Sequence, residues 1–197
     1  AHIDFSWTAY GNTATVVAAL NYLGIKNVRD SPGGPGDLSL WQQVAQATGA
    51  RFDAFIGETS PAGYSAQLGL MQQVAGLGLL NAIEGGNEPD DAYPASLGTT
   101  TQFAAQFQRQ VWALGQSLGL PVIQTSFGFI NDYGSTGNLS AYADYGNAHT
   151  YFGSGNSPGL AAYWNGVAYA GGSMQWLNAE AQLTTPGKPV VTTESGY

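Results

Sequence analysis

The stretch GLLNAIEGGNEP, residues 78–89, carries the signals from which the fold can be read. Gly78 closes a segment of helical periodicity, and a glycine just past a helix supplies the left-handed C-terminal cap. The run that follows at once is short and apolar, as in a strand buried in a parallel sheet. It ends in Gly85-Gly86 and places a carboxamide, a carboxylate and Pro89 at its tip.

The same unit recurs along the chain. Gly24 precedes IKNVRD, Gly49 precedes ARFDAFIG, Gly119 precedes LPVIQTSFG and Gly187 precedes KPVVTTESGY. The segments before these glycines have apolar residues at helical spacing. Val16, Leu20 and Leu23 form the first such face, and Leu40, Val44 and Ala47 the second. Leu68, Met71, Val74 and Ala75 form the third, and Phe103, Phe107, Val111, Leu114 and Leu118 the fourth. Thr99 to Thr101 offer N-cap hydroxyls ahead of the fourth. A further strand is expected within YADYGNAHTYF, residues 142–152, and a helix within 158–183.

With HIDFSW counted as the first strand, strands and helices alternate strictly. Such alternation predicts an α/β fold with a parallel sheet and its helices outside. The number of units points to a (β/α)8 TIM barrel, incomplete at the C-terminus, with strands one to seven present. The competing architecture is a doubly wound sheet. It would want a phosphate-binding glycine loop after its first strand, and neither SWTAYGN nor SPGGPGD has that spacing. Residues 1–197 read as a single catalytic domain lacking the expected last helix and eighth strand. A C-terminal segment or a second chain is the expected partner that completes the barrel and covers its open edges.

Composition narrows the function. Charged residues make up 9% of the 197, against about 25% in ordinary proteins. Net charge is −8, with only five Lys and Arg, which disfavours nucleic acid and anionic membrane surfaces. Cysteine is absent, which removes thiolate chemistry and disulfides. No apolar run approaches the ~18 residues of a membrane span. A polar complement of Gly, Ser, Thr, Asn and Gln suits a secreted or periplasmic protein.

In a barrel, chemistry sits at the C-terminal ends of the strands. Those ends carry Arg29-Asp30, Glu58, Asn87-Glu88, Phe127, His149 to Tyr151, and Glu194. Glu88 and Glu194 belong to the fourth and seventh strands, which face each other across a barrel mouth. Two carboxyls about 5–5.5 Å apart cleave a glycosidic bond with retention, and a pair about 6.5–9.5 Å apart does so with inversion.

Asn87-Glu88-Pro89 together with Glu194 in VVTTESGY, Arg29 and the His149-x-Tyr151 pair resembles the clan A glycoside hydrolases. The resemblance spans nearly the whole chain. It implies a retaining enzyme acting on β-linked glycans by double displacement, with Glu88 as acid/base and Glu194 as nucleophile. It also implies that Asn87 binds the sugar 2-hydroxyl, that Arg29 contacts the nucleophile, and that His149 and Tyr151 line the site. An oligo- or polysaccharide is the implied substrate, with no metal and no organic cofactor.

Other readings stand beside these. Arg29 could be an ion-pair partner of Asp30 or Asp53, and His149 a hydrogen-bonded core residue. Glu84 reads as a structural carboxylate and Asp90-Asp91 as a solvated turn. Trp7, Tyr10, Phe129, Tyr133 and Phe152 fall near rim loops, and segment 128–142 is a candidate cleft wall. The rival from another class is a non-catalytic glycan-binding or cell-surface barrel. A barrel enzyme for phosphorylated metabolites would need glycine-rich phosphate loops after the last two strands.

Overall fold

The structure, a computed structural model, describes residues 1–3, 5, 10–92, 100–128, 131–151, 162–164, 167–169 and 174–196. Helix α1 (Thr13–Leu23) leads into strand β1 (Asn27–Asp30), α2 (Pro35–Thr48) into β2 (Arg51–Ile56), and α3 (Pro61–Gly76) into β3 (Leu80–Gly86). A short α4 (Pro89–Ala92) follows, then α5 (Thr100–Leu118) and β4 (Val122–Ile123). Beyond these come α6 (Asn131–Thr136), a 3-10 turn (Ser140–Tyr142), β5 (Gly146–Asn147), β6 (Thr150–Tyr151), the β7–β8 pair (Ala162–Trp164, Val167–Tyr169) and α7 (Met174–Thr184). The described chain closes with β9 (Val190–Val191) and β10 (Ser195–Gly196).

Local chemistry starts and stops these helices as the sequence leads one to expect. The Asn12 side chain caps α1 by accepting from the Thr15 amide at 3.2 Å. Ser60 Oγ caps α3 by accepting from the Gly63 amide at 3.0 Å, and Pro61 fills its first position. Each such cap contributes about 1 kcal/mol. Gly24, Gly49, Gly78, Gly119 and Gly187 all have positive φ, between 65° and 78°.

Strands β1 to β4 form one parallel sheet in sequence order. A parallel bridge joins His2 to Arg29 on one side, and another joins Ile123 to Tyr145 on the other. Parallel pairs β5–β9 and β6–β10 continue the succession. Parallel segments therefore follow one another from the His2 region to β10, the order of a TIM barrel. Helices pack against the sheet through a core that includes Trp41 stacked on Phe52, with ring centroids 4.3 Å apart. Phe103 and Phe107 of α5 close on Tyr64 of α3. A second core gathers Phe127, Tyr133, Ala148, Leu177 and Ala181.

Several expectations need correcting. Leu23 is 63% exposed, because the chain turns at Gly24 and Ile25 packs against the core instead. On α2 the buried face is Trp41, Val44 and Thr48, with Ala47 exposed. Thr48 tolerates burial because its hydroxyl donates to the Val44 carbonyl at 2.6 Å and accepts from the Ala50 amide. Segment 128–142 contains α6 and the 3-10 turn; it buries Leu139, and it places Tyr133 in the second core. Tyr133 is therefore no rim aromatic. Residues 158–183 hold an antiparallel pair as well as a helix. Of HIDFSW only His2, Ile3 and Phe5 are described, and Trp7, Thr99, Phe129 and Phe152 lie outside the described residues.

Candidate active site

Consecutive strands each deliver one polar group to the interior. Arg29 comes from β1, Asp53 from β2 and Glu84 from β3, and Asn87 and Glu88 follow directly. Asn147 comes from β5 and His149 from the residues between β5 and β6. Thr193 and Glu194 lie between β9 and β10.

Glu84 stands at the centre and is fully buried. It accepts from Arg29 Nε at 2.9 Å and Nη2 at 2.7 Å, and from Asn147 Nδ2 at 2.9 Å. The Thr193 hydroxyl lies 3.2 Å from its Oε1. A buried carboxylate needs this many donors to keep its charge.

Arg29 spreads the remaining edge of its guanidinium over two more residues. Nη2 donates to Asn87 Oδ1 at 2.7 Å, and Nη1 donates to Glu194 Oε2 at 3.0 Å. The Phe55 ring lies under the guanidinium carbon, 4.0 Å from the ring centre. Burial works against the charge of Arg29. The Glu84 carboxylate, helped by Glu194, outweighs it and holds the pKa above its ordinary value.

Glu88 has a φ of 42°, unusual for a residue with a Cβ. Its amide donates to Ser126 Oγ at 3.2 Å, and the preceding Asn87 amide donates to the Ile56 carbonyl at 2.8 Å. These bonds hold a backbone that would otherwise relax. Its side chain meets His149, whose Nδ1 lies 2.5 Å from Glu88 Oε1 and 3.9 Å from Glu194 Oε2. The two distances keep those carboxylate oxygens within about 6.4 Å of each other. On its other side, His149 Nε2 lies 3.2 Å from the Thr193 hydroxyl. Glu88 and Glu194 side chains are 22% and 20% exposed, so both are accessible from outside the network.

A cavity of about 850 Å³ opens beside this cluster, lined by His2, Tyr10, Arg29, Asp53, Ile123, Thr193 and Glu194 among others. The segments at the two ends of the strand succession, Ala1–His2 and Val191–Ser195, both line it. Tyr10 thus sits at the cavity, as a rim aromatic should.

Arg29, Asn87, Glu88, His149 and Glu194 are brought together. Tyr151 is placed by its backbone, paired with Gly196 in the β6–β10 ladder, and its side chain lies outside the described residues. Glu58 and Phe127 go elsewhere: the Glu58 amide donates to Gln67 of α3, and Phe127 packs on Tyr133. Asp90 accepts from the Gly128 amide at 2.9 Å, which ties the turn after Glu88 to the chain beyond β4. Sequence reasoning missed Asn147 and Thr193 as members of the cluster, and named Asp53 only as an alternative partner of Arg29. It named Glu84 without seeing that Glu84 organises the rest. The available signal was a carboxylate inside an apolar strand, which needs donors from its neighbours. Among the described residues no group of three or more His, Cys, Asp or Glu could hold a metal ion, and no helix is long and apolar enough to cross a membrane.

No protein-family description matches the chain, and no curated protein matches it. Solved structures do. A glycoside hydrolase family 17 β-1,3-glucanosyltransferase from Rhizomucor miehei superposes with a TM-score of 0.67 at 17% identity, over 100% of this chain and 71% of that one. An active-site mutant of the Rhizomucor miehei β-1,3-glucanosyltransferase in complex with laminaritriose gives the same values. Catalytic domain 2 of the Ostrinia furnacalis Group II chitinase, an E2180L mutant bound to a chitooligosaccharide, superposes with a TM-score of 0.51 at 9% identity, over 89% of this chain and 57% of that one. The fold of this chain is the TIM-barrel fold of these glycoside hydrolases.

Proposed function

We propose that this protein is a retaining glycosidase of the clan A type that acts on β-linked glycans. The observation that carries the reading is the approach of Glu88 and Glu194 to one imidazole, which gathers the two strand-end carboxyls at a single site, and the clan A resemblance of those strand ends assigns retention. Glu194 attacks the anomeric carbon and forms a glycosyl ester as the aglycone oxygen leaves. Glu88 gives that oxygen a proton and then removes one from the attacking water. Arg29, 3.0 Å from Glu194, steadies its negative charge and aligns it. Asn87 accepts from Arg29 through Oδ1, which turns its amide group towards a sugar hydroxyl. His149 holds the Glu88 side chain in place. Strain at Glu88 fits this role, since backbone outliers concentrate where a side chain must be aimed.

The ester intermediate can also pass to a sugar hydroxyl, and the likeness to a glucanosyltransferase favours testing transfer beside hydrolysis. A secreted or periplasmic setting accords with a polymeric glycan substrate. An added strand supplied by a further segment or chain would pair beside the cavity that His2 and Glu194 line.

The test is turnover of a panel of aryl β-glycosides, with and without a β-glucan acceptor. Glu194→Gln and Glu88→Gln should each lose about 10²–10⁴-fold in kcat. Azide should restore aryl-glycoside turnover to Glu88→Ala and give a β-glycosyl azide. An α-configured azide adduct from Glu88→Ala would overturn the acid/base role of Glu88, wild-type turnover that survives Glu194→Gln would overturn Glu194 as nucleophile, and an α-configured first product from a β-glycoside would overturn retention. Binding of glycans without turnover on any substrate would favour the non-catalytic barrel.

A further inference from the structure

Asp53 is a carboxyl of the cluster to which the proposed reaction assigns no role. It stands in register with Arg29 on β1 and Ala82 on β3, one strand from each of the residues that bind there. Its carboxyl neighbours that of Glu84 across the β2–β3 pair, close enough to share a hydrogen bond. Two carboxyl groups can share a hydrogen bond only if one of them carries a proton. Glu84 is surrounded by donors: the Arg29 fork, the Asn147 amide and the Thr193 hydroxyl. Asp53 has the opposite surroundings. Among the described residues no donor reaches its buried Oδ1. A bare buried oxygen is costly on a carboxylate and cheap on a neutral acid. The proton therefore belongs to Asp53 and the charge to Glu84.

We propose that Asp53 is a positioning residue of this site: as an un-ionised acid it donates a hydrogen bond to Glu84, which holds the Arg29 fork and leaves Nη1 facing Glu194. The inference rests on the glycosidase reading for its consequence, though not for its geometry. Burial, and then the Glu84 carboxylate, push Asp53 well above the usual carboxylate range, while the Arg29 charge acts in the other direction. The groups that face it are Arg29 from β1, Glu84 from β3, Glu194 before β10, and His2, Tyr10 and the Ala1 amino group around the shared cavity. That cavity gives the proton a way out to solvent. When Asp53 ionises, two adjacent carboxylates compete for one guanidinium, and Arg29 is drawn from Glu194 towards β2.

The sign of the effect follows from linkage. Asp53 binds its proton more tightly in the folded chain than in the unfolded one. Between the ordinary carboxylate range and its raised value, the folded chain holds the extra proton, so stability falls as pH rises. Asp53→Asn keeps a donor and cannot ionise, so it escapes that fall. Melting temperatures of wild type and Asp53→Asn, measured from pH 4 upwards, should start close together. The variant should then gain on the wild type by about 2–4 °C or more before the gap levels off. Aryl-glycoside turnover in Asp53→Asn should keep its acid limb and extend its alkaline limb.

A gap that does not change with pH overturns the inference, whether or not the protein hydrolyses glycosides. A growing gap with an unmoved alkaline limb overturns the positioning role. A growing gap in a protein that turns over no glycoside leaves the Asp53 donor standing and removes the glycosidase reading instead. Should Asp53→Asn fail to fold, the Asp53 carboxyl carbon can be followed by NMR in the wild type. Titration in the ordinary carboxylate range would then refute the assignment.

Discussion

Arg29 and Glu84 meet edge to edge, with Nε and Nη2 of the guanidinium each donating to a different carboxylate oxygen, at 2.9 and 2.7 Å. Their side chains are 5% and 0% exposed. A pair this well buried adds little stability over an apolar pair of the same size, yet removing one partner strands the other. Glu84→Met should therefore cost about 3–5 kcal/mol, read as a lower urea midpoint at unchanged slope. Arg29→Met should cost a similar amount. The double variant Arg29→Met/Glu84→Met should lose much less than the two single costs added together. Additive losses would mean that the two residues act independently.

The glycine pair before Asn87 separates packing from ligand approach. A Cβ on Gly85 would lie 2.6 Å from the Thr125 amide nitrogen, and nearer still to the Thr125 hydroxyl and the Gln108 carboxamide oxygen. Gly85 is thus required by the fit of α5 and the chain just after β4 against β3. Gly85→Ala should destabilise by about 1–3 kcal/mol as an overpacked site. Gly69, exposed in the middle of α3 with open space around it, is the control. Gly69→Ala should stabilise by about 0.5–1 kcal/mol. Thermal melts of both variants check the pair, and a neutral Gly85→Ala would refute the packing argument.

Backbone strain at Glu88 can be weighed separately from its side chain. Glu88→Ala and Glu88→Gly both remove the contact with His149, but only glycine accepts a φ of 42° without cost. Glu88→Gly should be more stable than Glu88→Ala by about 1 kcal/mol, and both should be inactive. Equal stabilities in denaturant would show that the backbone relaxes once the side chain is gone.

Much of this arrangement is legible in the sequence because punctuation and pattern agree. Glycines 24, 49, 78, 119 and 187 mark helix ends, and every one adopts the left-handed conformation. The residues at the strand tips, Arg29, Asn87, Glu88, His149 and Glu194, converge as barrel geometry requires. What stayed hidden depends on contacts between distant strands. Asn147 and Thr193 look like ordinary polar strand residues until Glu84 is seen between them. Which turn of a helix faces inward was also lost at the ends. Ala47 faces solvent and Leu40 is only partly buried against the core, while Trp41 and Thr48 are buried, Thr48 because its hydroxyl bonds to its own helix. The β7–β8 pair did leave a trace, an Asn-Gly between aromatic residues in YWNGVAY, which is the commonest tight hairpin signal.

The bonds that assemble the cluster join residues 55, 109 and 165 positions apart. Local helix formation cannot preorganise it, and a chain caught half-way through folding has no competent mouth. The cost of closing such long loops falls on the folding rate rather than on final stability. Any ligand that settles between Arg29, His149 and Glu194 thereby clasps the first and last strands of the described chain. At one hundred times its Kd it would add about 2.7 kcal/mol to whole-molecule opening. Amides in β1 and β9, far from one another in sequence, would slow their hydrogen exchange in concert.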